Sequence, residues 1–143
     1  MKAIRYYRYG PPDVLALQDV DVPAVGARDV LVRVRAASVN PLDWHFMRGT
    51  PYVVRAAAGL SRPKAKGLGA DMAGQVEAVG KDVTAFQPGD EVFGSRSGTF
   101  AEYVSIPEVC LRGSAGRAMH HGDGPRCRTS TVSEEIACPS CSR

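Results

Sequence analysis

Across residues 1–108 the apolar positions come in short alternating runs bounded by turn-forming residues. The runs cover residues 3–7, 15–20, 30–39, 72–79, 91–93 and 101–106. A period of two over stretches this short marks β-strands, and the valines and aromatics in several of them suit a pleated surface. In the longest run Val30, Val32 and Val34 share one face, while Leu31, Arg33 and Arg35 share the other. One side should pack and the other stay mostly wet. Gly10-Pro11-Pro12, residues 23–26 and Gln87-Pro88-Gly89-Asp90 separate the runs, with Pro presetting φ and Gly permitting positive φ. Short helical pieces are predicted at residues 43–48, after Pro41, and at 52–60. Arg62, Lys64 and Lys66 read as a solvated loop. The expected fold is mainly β, six strands curling into a partly open barrel with one or two short helices.

A chain of 143 residues, 44% hydrophobic and 23% charged, has the size and apolar content of one globular domain. Its net charge of +3 is dispersed, without the basic stripe that neutralises a phosphate backbone, so no nucleic-acid partner is expected. No window approaches the roughly 18 to 20 consecutive apolar residues of a membrane span, and the N-terminus has no signal-peptide core. The expected location is therefore cytoplasmic. After Glu108 the texture changes. Residues 112–128 are rich in Gly, Arg, His and Ser without a period of 2 or 3.6, and residues 109–143 are expected to be a disordered tail. All four cysteines (Cys110, Cys127, Cys138 and Cys141) lie there. Cys138 and Cys141 form a CxxC without a second pair at zinc-finger spacing, which reads as two tail thiols.

Several blocks succeed one another in a defined order. They are Met1-Lys2-Ala3-Ile4, Pro12-Asp13-Val14-Leu15, Asp29-Val30-Leu31-Val32-Arg33-Val34, Ser38-Val39-Asn40-Pro41-Leu42-Asp43 and Leu68-Gly69-Ala70-Asp71-Met72-Ala73-Gly74-Gln75-Val76. Phe86-Gln87-Pro88-Gly89-Asp90-Glu91-Val92-Phe93-Gly94 and Gly98-Thr99-Phe100-Ala101-Glu102-Tyr103-Val104 complete the series. Each block alone is weak, but their order and spacing resemble the catalytic, GroES-like domain of the medium-chain dehydrogenase/reductase superfamily. The similarity is to its zinc-independent quinone-oxidoreductase (zeta-crystallin-like) branch and covers residues 1–108. Residues 109–143 match nothing in the family order, which points to a shifted reading frame or a misjoined end, the rival being a genuine basic extension. No nucleotide-binding (Rossmann) domain is expected in this chain.

The resemblance implies a hydride-transfer enzyme using NADPH on a quinone, enone or other carbonyl compound, with this chain inactive alone and holding the cofactor weakly. Zinc-dependent members carry a Cys in the loop after the block that begins at Asp29, and a Gly-His-Glu triplet before the glycine-rich strand. Here Asn40 stands at the first place and Ala70-Asp71 at the second, so no zinc is expected. The resemblance also implies that Asn40 and Asp43 line the interdomain cleft near the nicotinamide end of NADPH. Without zinc, positioned donors and water must polarise the acceptor carbonyl. Asn40 offers an amide, and Asp43 either orders a water or caps a helix. His45 stands where relatives often have a cleft-facing Tyr. It is either a titratable donor or a packing residue beside Trp44 and Phe46. Gly67-Leu68-Gly69-Ala70-Asp71-Met72 begins like a dinucleotide fingerprint but leads into a strand, so its glycines read as close-approach positions. The alternative function is a free-standing GroES-like module that binds a partner protein through a strand edge. The loop at 50–66 lacks the glycine-rich, mobile character of a ring-forming co-chaperonin loop.

Overall fold

A computed structural model describes residues 1–64 and 66–113. The expected disordered tail beyond residue 113 lies outside the described residues, as do Cys127, Cys138 and Cys141. Every predicted run forms a strand: β1 (Lys2–Arg5), β2 (Ala16–Asp19), β3 (Asp29–Ala37), β4 (Asp71–Val79), β5 (Glu91–Ser95) and β6 (Tyr103–Pro107). Both predicted helices are present, α1 (Pro41–Arg48) and α2 (Val53–Ala58). Single 3-10 turns occupy Pro12–Val14 and Glu108–Cys110.

The fold does not stop at Glu108. A seventh strand, β7 (Leu111–Gly113), pairs with β5, and Leu111 is fully buried. Three residues with a single large apolar side chain show no readable period, so the alternation pattern passed over them. Ordering comes from the neighbouring sheet. Burying one such leucine contributes about 1.5–3 kcal/mol.

All strand pairs are antiparallel. β1 and β2 form a two-stranded sheet, and the larger sheet runs β6-β3-β4-β5-β7. It does not close into a barrel. The small sheet is fastened across it by Ile4 N–H donating to the Phe100 carbonyl at 2.8 Å and Tyr6 N–H donating to the Lys66 carbonyl at 3.0 Å. The main core joins Val30 and Val32 to Met72, Val76, Val92, Val104, Ile106 and Leu111, with Val34 packed at its margin. A second cluster, Tyr6, Met47 and Leu68, lies beneath α1. Among the described residues no helix is long and apolar enough to cross a membrane.

Two register shifts break the predicted alternation of β3. Leu31 pairs with Ala78 and Val32 with Val76, leaving an extra residue on β4, and Leu31 is buried instead of facing water. Val34 pairs with Gly74 and Ala36 with Ala73, so Arg35 is the bulged residue on β3. A bulge bends its strand and re-aims the residues beyond it. Here those residues are Ser38 and α1. Gly74 permits the close pairing, because a Cβ there would lie 2.3 Å from the Arg33 carbonyl oxygen. Gly69, at φ +97°, would carry a Cβ 2.5 Å from the Thr99 hydroxyl. The glycine pair before β4 is therefore a close-approach device leading into a strand, and no dinucleotide turn forms there.

Candidate functional site

The bulged end of β3 delivers Ser38 and Asn40 to the start of β4. The pairing of Ala37 with Met72 sets Ser38 opposite Asp71, and Ser38 N–H donates to the Asp71 carbonyl at 3.3 Å. Asn40 caps α1 in an extended conformation, and Pro41 opens the helix where its missing N–H costs nothing. The Asn40 N–H donates to Asp43 Oδ2 at 2.8 Å, and the Asp43 N–H donates back to the Asn40 carbonyl at 3.0 Å. Helix α1 ends at Gly49, whose φ of 63° and N–H bond to the His45 carbonyl form a left-handed cap.

Asp43 is therefore the reciprocal cap partner, buried at 3% exposure. Its charge is felt beneath α1. Burial foremost, and then Tyr9 and Asp43, push the Tyr6 hydroxyl up to about 12. Burial also raises Tyr9, with the Arg55 guanidinium opposing.

The nitrogen of the Asn40 carboxamide turns to the sheet. Its Nδ2 donates to Asp71 Oδ2 at 2.6 Å and to Ser38 Oγ at 3.3 Å, and the Ser38 hydroxyl donates to Asp71 Oδ2 at 3.4 Å. A carboxylate only accepts, so the atom nearest Asp71 has to be the nitrogen. Both amide hydrogens expected to polarise a substrate carbonyl are thus held by protein acceptors.

His45, one turn along, goes elsewhere. Its Nδ1 lies 2.6 Å from the Thr50 carbonyl oxygen, which can only accept, so Nδ1 carries the proton. Its ring meets the Trp44 ring edge-on at 5.2 Å and 81°. Asn40 and Asp43 share one capped turn, while His45 fastens the other end of α1.

Beside Ser38 and Asp71 an open groove of about 550 Å³ runs along the sheet, lined by Ala36, Ala37, Met72, Ala73, Phe93 and Ser95. Phe93 is half exposed. Ser38, Phe93 and the partnership of Asp71 with Asn40 were not singled out from the sequence. The available signal was the antiparallel register of β3 and β4, which sets the end of one against the start of the other. Among the described residues, no three His, Cys, Asp or Glu side chains converge as a metal-binding group.

Residues 26–113 match the family model described as the alcohol dehydrogenase GroES-like domain. The chain is 42% identical over 107 residues to a quinone oxidoreductase of Rattus norvegicus, the match covering 73% of this chain and 30% of that protein. A solved quinone oxidoreductase from Coxiella burnetii superposes with a TM-score of 0.71 at 30% identity, over 80% of this chain and 37% of that one. A mycobacterial protein solved with NADPH gives a TM-score of 0.67 at 28% identity, over 82% and 34%. The chain thus spans about 30% of the length of the curated relatives it matches.

Proposed function

The chain belongs to the alcohol dehydrogenase GroES-like family, within the medium-chain dehydrogenase/reductase superfamily of oxidoreductases, and we propose that it forms the substrate-side wall of an NADPH-dependent, zinc-independent reductase of quinones or enones. The supporting observation is an apolar groove bordered by a preorganised polar rim, in which Asn40 lies 2.6 Å from Asp71. In this reading the domain comprises residues 1–113.

NADPH, when bound, supplies the hydride. The groove holds the flat face of the acceptor against Ala73, Met72 and Phe93 and displaces water from it. Asp43 fixes the Asn40 backbone, and Asp71 and Ser38 fix its carboxamide, so the rim needs no reorganisation when a ligand arrives. The described residues suit the nicotinamide end of the cofactor and not its phosphates. The N-terminus of α1, where an anion would bind, already carries the Asp43 carboxylate, and α2 has only six residues.

Duroquinone tests this, since its four methyl groups block addition by the chain's thiols. Titrated into the ¹⁵N-labelled chain, it should move the backbone cross-peaks of Ala36, Ala37, Ser38, Met72, Ala73, Phe93 and Ser95. Perturbations centred instead on the separate hollow of Arg33, Arg35, Glu102 and Tyr103 would place the ligand elsewhere and defeat the proposal.

A further inference from the structure

The side-chain hydrogens around the groove are already committed. Both hydrogens of Asn40 Nδ2 point to Asp71 and Ser38, and the Ser38 hydroxyl donates to Asp71. The Ser95 hydroxyl donates to the Ala70 carbonyl at 3.2 Å, and the buried Thr99 hydroxyl donates to the Asp71 carbonyl at 3.3 Å. The other lining side chains, Ala36, Ala37, Met72, Ala73 and Phe93, have no N–H or O–H to give. What remains is acceptor capacity: the Asp71 carboxylate, the Asn40 carbonyl oxygen and the serine lone pairs. Among the described residues Asp71 is also the only charged one lining the groove.

We infer that the side chains of this rim accept hydrogen bonds and do not donate them, so among neutral planar apolar molecules those that carry their own N–H or O–H donor gain a bond there, while a quinone or enone is held by its flat face alone. Asp71 is the positioning residue that imposes this selectivity. Turning the Asn40 carboxamide over would set its oxygen against the Asp71 carboxylate, acceptor facing acceptor, and strand a donor-starved anion. With Asp71 in place only one orientation of Asn40 is stable. A ligand offering only a carbonyl finds no side-chain donor at this rim, and an anion meets the Asp71 charge. The inference rests on the groove being the site proposed above.

Benzamide and N,N-dimethylbenzamide share a ring and a carbonyl and differ in the two amide hydrogens, and benzoate replaces the amide by a charge. Followed by ¹⁵N cross-peaks of Ser38, Asp71, Phe93 and the Asn40 side-chain amide, benzamide should bind about fivefold tighter than its dimethyl analogue, the effect of one partly exposed hydrogen bond. Benzoate should leave these peaks in place. In Asp71→Asn either face of residue 71 can meet either face of Asn40, so the preference should fall to within about twofold and benzoate should gain. Equal binding of the two amides by the native chain overturns the inference and leaves the groove standing, and this comparison holds even if Asp71→Asn does not fold. A preference retained in a folded Asp71→Asn chain removes Asp71 from the role. Silence of these peaks toward both amides and duroquinone overturns the site and the inference together.

Discussion

Replacing Asp43 by Ala separates a structural role for this carboxylate from a purely chemical one. The side chain accepts the Asn40 N–H at 2.8 Å and sits in the first turn of α1. Losing a cap partner costs about 1 kcal/mol, within a range of roughly 0.5–2 kcal/mol. Losing a carboxylate near the positive end of the helix dipole costs about 0.3–1 kcal/mol more. The expected total of about 1–3 kcal/mol leaves the fold intact against a usual stability of about 5–15 kcal/mol. For a domain of this size it lowers Tm by roughly 4–15 °C. Asp43→Asn keeps an oxygen acceptor and loses the charge, so about half the effect should remain. Trp44, the chain's one tryptophan, lies on α1 and its fluorescence reports the helix, while far-UV circular dichroism reports the sheet. In urea both signals should move to lower denaturant in Asp43→Ala, with exchange of the Asn40 amide hydrogen accelerated. If Asp43→Ala matches the native chain within about 0.3 kcal/mol, a value near the resolution of such measurements, the capping account is wrong. A buried carboxylate that contributes nothing to stability would then have to be explained by chemistry.

Tyr6 should ionise near pH 12 in an ultraviolet difference titration. Its folded value lies above its ordinary value of 10.0, so the stability it contributes is complete below about pH 10 and lost as pH rises towards 12. Tyr6→Phe should flatten that window, and an unchanged profile would contradict the assignment. Gly74→Ala, whose Cβ would meet the Arg33 carbonyl at 2.3 Å, should cost about 1–3 kcal/mol in urea denaturation, and a neutral result would refute the close approach of β3 and β4. The isolated chain should bind NADPH no tighter than about 1 mM, roughly −4 kcal/mol, because the α1 N-terminus is occupied by its own carboxylate. Low-micromolar affinity by calorimetry would contradict this.

What the sequence made legible was local. Alternation placed six strands, most of which turn one face to the core, and Pro41 and Gly49 bracketed α1 because their backbone preferences are strong. Burial of Leu31 was hidden because the extra residue on β4 breaks the period two assumed for β3. β7 was hidden because three residues carry no period, and it is ordered by pairing with β5 and by Leu111 in the main core. The candidate site divided along the same line. Asn40 and Asp43 belong to one turn, and their relation is a short-range pattern. The groove and the pairing of Asn40 with Asp71 depend on a contact across 31 residues, which only the sheet register supplies.

That long-range contact bears on the expectation that no zinc is held here. Asn40 and Asp71 stand where the zinc-dependent pattern places a Cys and an acidic residue, and the fold brings the two positions within 2.6 Å of each other. A carboxylate left there alone would be an unpaired anion beside an apolar groove, an arrangement that raises the cost of burial when a ligand covers it. The amide of Asn40 and the hydroxyl of Ser38 supply the partners a cation would otherwise provide. The network therefore stabilises Asp71 by consuming the donors with which a carbonyl would be polarised. Asn40→Ala should expose this trade directly. It leaves Asp71 Oδ2 with the longer Ser38 bond alone, so the junction of β3 with β4 should loosen and the Ser38 amide hydrogen, bonded to the Asp71 carbonyl, should exchange faster than in the native chain. Unchanged exchange would mean that water replaces the amide at no cost, and that the rim is not preorganised.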